Sequence, residues 1–184
     1  MQLGDPDALA ASLHVTAGVD SGMGFSRETR RTLGLALLQA GRIPEALAEL
    51  EAITGSEGWG PADTAALGLA YAAARRPSDV EAIEAPATAG TYLDQLQCEL
   101  AHAFALLQRG DPAASDAFDA MLAGIDTTES RLDQAIIRLA RAHAWRALGR
   151  DDAEAAAHEA NARLTSIGIE ARGWITVFSA ATGD

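Results

Sequence analysis

The sequence predicts an all-helical protein, and three observations carry that prediction. Alanine and leucine dominate while aromatic residues make up only 5% of the 184, and both dominant residues favour helix over long windows. Runs of β-branched residues, which mark strands, are missing. Proline, glycine and Ser/Thr/Asp…Asp/Glu pairs recur at helix-length intervals, supplying starts and stops for about ten helices.

Taken in order, a first helix spans Pro6 to Ala17, followed by a loose connector from Gly18 to Gly24. Ser26 caps a helix reaching Ala40, with Gly41 as its stop. Pro44 opens the next, to Thr54, because proline at a first helical position forgoes an N–H that would be unpaired anyway. After the break from Gly55 to Gly60, Pro61 starts a helix to Arg76. Ser78 and Glu81 form a capping-box pattern for a short helix ending near Pro86. Thr91 and Asp94 open a long helix that stops at Gly110, and Pro112 starts another to Ala123. Asp126 with Glu129 and Asp151 with Glu154 are further box patterns, for helices ending at Gly149 and Ile167. The last helix runs from Ile169 to Ala181. Its Trp174, Val177, Phe178 and Ala181 form one apolar stripe, read as the cap that covers the end of a stack. Short connections imply antiparallel helix pairs.

Spacing turns the elements into an architecture. Leu33-Gly34-x2-Leu37 recurs as Leu67-Gly68-x2-Tyr71 at an offset of 34 residues. Ala46-x3-Leu50 recurs as Ala114-x3-Phe118 at 68, twice that period. Small residues let two helices approach closely, and large ones fill the gap to the next unit. The pattern resembles the tetratricopeptide repeat, whose 34-residue unit carries Leu-Gly-x2-Tyr in its first helix and Ala-x3-Phe in its second. Val80 and Glu84 replace the second-helix pair of one unit, Ala101-His102 replaces a Leu-Gly, and Arg141 stands where leucine is the rule. The resemblance implies a right-handed stack of antiparallel helix pairs, an α-solenoid with terminal capping helices. Residues 1–25 would form an N-terminal helix and connector, and residues 26–167 four pairs (about 27–60, 61–90, 91–124 and 128–167). The cap would be 168–184.

The resemblance also implies a function. Such arrays bind peptides or helices along the inner surface made by their first helices. Here that maps onto Leu35 and Leu38, Leu69 and Ala73, and Leu106 and Leu107, an apolar groove. The Lys/Arg/Asn set that grips a chain terminus in one class of these repeats is not found there. An amphipathic helix, from a partner or from this chain's own N-terminus, would fill the groove, or the array would close into a compact bundle. Similar alanine- and arginine-rich repeats look like those of actinobacterial transcriptional regulators and cyclases. The resemblance therefore implies a non-catalytic scaffold or adaptor, with a small-molecule-sensing regulatory domain as the alternative.

Composition narrows the classes further. All 14 basic residues are arginine, and the formal charge of −12 opposes direct binding to nucleic acid or an anionic membrane. No apolar stretch approaches the roughly 18 residues of a membrane span. The opening residues lack the basic and apolar regions of a signal peptide, and Cys98 is the only cysteine. A cytoplasmic protein, monomeric or homodimeric, is the expectation. No catalytic residue, cofactor or metal is expected: His14, His102, His143 and His158 are scattered, and no zinc-type spacing occurs. Asp94, Cys98 and His102 share one helix face, which reads better as a buried thiol than as a catalytic group. Gly18 to Gly24 lacks the Gly-Lys-Ser/Thr of a phosphate-binding loop. Arg131, Gln134, Arg138, Arg141 and Trp145 form a stripe that would receive an acidic segment of a partner, unless Asp116 or Asp119 already pairs its arginines.

Overall fold

The computed structural model describes Ala11, residues 27–83 and residues 90–183. Among these, every regular element is a helix and no strand occurs. In chain order they are α1 (Arg27–Gln39), α2 (Ile43–Glu51), α3 (Pro61–Ala73), α4 (Pro77–Ala82), α5 (Tyr92–Gln108), α6 (Ala113–Ile125), α7 (Arg131–Ala147), α8 (Ala153–Ser166) and α9 (Arg172–Thr182). The helix expected over Pro6 to Ala17, the glycine connector, the Ser26 cap and the stretch from Glu84 to Ala89 lie outside the described residues, Ala11 apart.

Each helix from α1 to α8 packs on its sequence neighbour, and α1, α3, α5 and α7 also meet one another in order. Side-chain pairs show the directions. Arg30 near the start of α1 donates to Glu49 near the end of α2 at 3.0 Å, so these two run antiparallel. Arg31, early in α1, and Asp63, in the first turn of α3, pair at 3.2 Å, so α1 and α3 run parallel. The small residues do what their spacing suggests. A Cβ on Gly34 would stand 2.6 Å from Cγ of Leu50, well inside van der Waals contact, so α1 and α2 approach this closely only because that position is glycine. At Gly68 the neighbour is Cβ of Ala101, 3.3 Å away. Ala101, the residue that replaces a Leu-Gly, is thus the small partner that seats α3 on α5.

Capping decides the boundaries, and here several expectations change. The Thr91–Asp94 box forms: the Thr91 N–H donates to the Asp94 carboxylate at 2.8 Å, and the Asp94 N–H to the Thr91 hydroxyl at 3.3 Å. The Asp126–Glu129 box does not. Ile125 is fully buried and extends the apolar stripe of Phe118, Met121 and Leu122, so α6 continues to it. Asp126 then closes α6, and Ser130 caps α7 by accepting from the Asp133 N–H. The Asp151–Glu154 box also fails: α8 is capped at Asp152 with no side-chain cap hydrogen bond, and arginines hold Glu154 and Asp152. Arg146 takes Glu154 at 2.7 Å and Arg150 takes Asp152 at 3.1 Å, and each hydrogen bond holds its carboxyl below the usual range. The short helix starts on Pro77 with Arg76 as its cap, ahead of Ser78.

The last helix is where architecture and expectation part most. Helix α9 packs against α7, α1, α3 and α5, lying across the first helices. Its contacts span the row. Gly173 abuts Gln39, with a Cβ there falling 3.1 Å from that of Gln39, and Thr176 lies against Gly41. The Gln108 amide donates to the carbonyls of Ala72 and Ala181 at 2.7 and 2.8 Å, tying α3, α5 and α9 together. Phe178 is fully buried, stacked on Phe104 at 5.6 Å and Trp174 at 5.7 Å, with the ring of buried His143 6.1 Å away. Phe118 meets Phe104 edge-on at 5.2 Å, which continues the aromatic core into α6.

Candidate functional site

The groove implied by the repeat resemblance is not open. Leu38, Leu69 and Ala73 are buried in the same apolar core as Val177, Phe178 and Ala181 of α9, and present nothing to solvent. Leu35 and Leu107 are half-buried against that core, and Leu106 is half-buried as well. A partner would reach the first three only by displacing a helix whose own anchors are buried. The amphipathic helix expected over this surface is therefore the chain's own, from the C-terminal end.

The arginine stripe is also engaged internally. Arg138 pairs with Asp126 at 2.6 Å and donates to the Gln134 carbonyl at 3.2 Å, while Arg141 pairs with Asp119 at 3.0 Å. The indole of Trp145 is buried, with the Arg141 and Arg150 guanidinium carbons 4.2 and 3.9 Å from its ring. Such cation–π contacts hold both arginines over the ring. Gln134 donates to the carbonyl of Thr128 at 2.9 Å. Of the stripe, Arg131 stands exposed. The side of α7 that carries Arg138 and Arg141 thus faces the carboxylates of α6 and its end.

Cys98 is half-buried, and burial first, then Asp94 and Glu99, pushes its thiol up, away from the reactive thiolate. Asp94 spends its carboxylate on Thr91, and His102 is exposed. Nothing in this arrangement activates a nucleophile. Among the described residues no group of three or more His, Cys, Asp or Glu is gathered as a metal ion requires. None of the described helices is long and apolar enough to cross a membrane.

What remains open is elsewhere. A cleft of about 100 Å³ lies between the first halves of α5 and α7, floored by α9. Leu93, Leu96 and Leu100 line one wall, Leu132, Ile136 and Ile137 the other, and Trp174 closes the end; Gln97 and Asp133 supply the polar edge. Leu93 is 44% exposed, Leu132 38% and neighbouring Tyr92 47%, three of the four large apolar side chains that are exposed among the described residues. They sit there for a local reason. Tyr92, Leu93 and Leu132 occupy the first two positions of their helices, ahead of the turns whose apolar residues face the core. Burial first, then Glu99 and Asp133, holds the Tyr92 phenol above its usual range.

None of these three residues stood out in the sequence, although a signal existed. Apolar side chains at the first positions of a helix, directly after Thr91 and Ser130, have no preceding turn to cover them. Leu93, Leu96 and Leu100, like Leu132 and Ile136, continue the helical spacing out to those positions. No family model, curated protein or solved structure matches this chain.

Proposed function

We propose that this chain is a non-catalytic protein-interaction module, a stack of tetratricopeptide-like helix pairs that docks a partner at the α5/α7/α9 cleft. The observation that carries the reading is the gathering of Tyr92, Leu93 and Leu132 at the mouth of one apolar cleft. Contiguous exposed apolar surface of this kind costs solubility and marks interaction sites. The repeat reading is supported by the order in which α1, α3, α5 and α7 meet, and by Gly34 and Gly68 lying where helices touch. A cytoplasmic setting suits a chain with a single free cysteine.

Size weighs against the sensing alternative. Pockets for small molecules run to about 300–1,000 Å³, and even benzene fills a cavity of roughly 150 Å³. A cleft of about 100 Å³ has room for one aliphatic side chain. A partner helix that inserts such a side chain while its flanks rest on Tyr92 and Leu132 fits the helix-in-groove mode. The test is affinity purification with full-length protein, comparing the wild type with a Leu93→Gln/Leu132→Gln variant and with Leu148→Gln, an exposed leucine outside the cleft. Loss of a defined partner in the first variant and retention in the second is the expected result. Equal recovery by all three folded proteins would overturn the proposal.

A further inference from the structure

We infer that Arg75 is a latch, an arginine set in a glycine's place to fasten the free end of α9 across the inner row of helices. With the latch closed, the last turn of α9 seals the C-terminal ends of α3 and α5. With it open, that turn lifts while the stack of helix pairs stays folded.

The chain supplies its own comparison. Helices α1, α3, α5, α7 and α8 end alike: one residue turns left-handed, its N–H bonds to the carbonyl three positions back, and the next N–H to the one five back. In four of them the left-handed residue is a glycine, Gly41, Gly110, Gly149 or Gly168. In α3 it is Arg75, at φ +57°, the one residue other than glycine with a positive φ among those described. Arg75 stands 34 residues after Gly41, the interval at which the helix pairs repeat. Left-handed backbone strains any residue that carries a Cβ, and such strain persists where the surroundings hold it in place.

The side chain shows what holds it. The neighbouring Arg76 pairs with Glu51 and Asp79, whereas Arg75 joins no ion pair among the described residues. Its Nη1 donates instead to the carbonyl of Thr182 at 3.0 Å, in the last turn of α9 and 107 residues away. Carbonyls at a helix end lack partners within the helix, and a cation suits the negative end of the dipole. Gly183 makes the approach possible: a Cβ there would collide with the Arg75 guanidinium. The Gln108 amide ties the preceding carbonyl, that of Ala181, to Ala72. Two side chains thus close the ends of α3, α5 and α9 together, with Ala73 and Ala181 buried beneath.

Amide hydrogen exchange of the full chain, resolved residue by residue, tests the latch with Arg75→Gly, which removes the side chain and leaves the backbone free to keep its turn. Amides 179–183, in the last turn of α9, should lose protection by about three- to fivefold, the scale of one surface charge-assisted contact. Amides 75 and 76, which close α3, should keep theirs. Gly183→Ala should unprotect the same turn of α9 by pushing the guanidinium off. Added to Arg75→Gly, it should cost that turn less than it does alone, since the contact is already gone. Unchanged protection of α9 in Arg75→Gly overturns the inference and leaves Arg75 an ordinary helix stop. The melting temperature would then rise, because glycine relieves the strain. Loss of protection at the end of α3 as well overturns it too, since the substitution then loosens the turn itself. Strict additivity of the two substitutions contradicts the role given to Gly183 and equally overturns the latch.

Discussion

Replacing Phe178 by alanine asks whether α9 is part of the core or a detachable cover. The side chain is fully buried and stacks on two rings, Phe104 at 5.6 Å and Trp174 at 5.7 Å. Deleting a buried phenyl costs about 3–5 kcal/mol through lost transfer energy and the cavity left behind. Each aromatic pair is worth roughly 0.5–1.5 kcal/mol beyond its area, so the upper half of that range, about 4–5 kcal/mol, is expected here. Domains are stable by about 5–15 kcal/mol, so the variant should still fold with its urea midpoint clearly lowered. Urea unfolding followed by both circular dichroism and tryptophan fluorescence measures it, the two probes giving one coincident transition. A loss under about 1 kcal/mol, or a separate early fluorescence transition, would refute the claim that α9 belongs to the cooperative core.

Four further outcomes follow from the same structure. Gly34→Ala should destabilise by about 1–2 kcal/mol, overpacking against Leu50 outweighing the gain of roughly 1 kcal/mol in helix propensity. Gly124→Ala in α6, where a Cβ meets nothing within 4 Å, should raise the melting temperature, and a loss there would contradict the α6 boundary. Asp63→Ala removes a buried carboxylate that pairs with Arg31 at 3.2 Å and Arg27 at 3.6 Å and accepts the Gly60 N–H at 3.0 Å. A cost of about 2–3 kcal/mol by urea unfolding is expected, and a neutral result would sever the α1–α3 link. Because its thiol is pushed up, Cys98 should alkylate at pH 8 more slowly than free cysteine, and Glu99→Gln should speed the reaction by lowering that pKa. A rate matching free cysteine in the wild type would show the thiol to be unshielded.

Much of the fold was legible because helix starts and stops are local chemistry. Pro61, Thr91 with Asp94, and Gly110 act through their own backbone or near neighbours, and the helices begin or end where these residues say. The boundaries that shifted are those where a distant or competing partner intervened: burial of Ile125 stretched α6, and Arg146 took Glu154, one half of the box expected at the start of α8. The stripe of Trp174, Val177, Phe178 and Ala181 correctly implied burial but held no information about the surface it would meet. Its covering of α1, α3, α5 and α7 depends on their spacing in three dimensions. The cleft was illegible for the same reason, since Leu93 and Leu132 are unremarkable until two helices bring their first turns together. The arginine stripe was half legible: Asp119 was anticipated as a partner, and Asp126 became available only because α6 ran on to Ile125.

The most direct test of the account is whether the chain's own last helix lies against the inner row of helices. Gln39 and Gly173 stand close enough that their Cβ positions are 3.1 Å apart, near the range of about 3.5–4.5 Å for a disulfide. A Cys98→Ser protein carrying Gln39→Cys and Gly173→Cys should oxidise rapidly to an intramolecular disulfide and melt higher than its reduced form. Failure to form that bond at low protein concentration, or formation only between chains, would contradict the placement of α9 and reopen the groove as the docking surface.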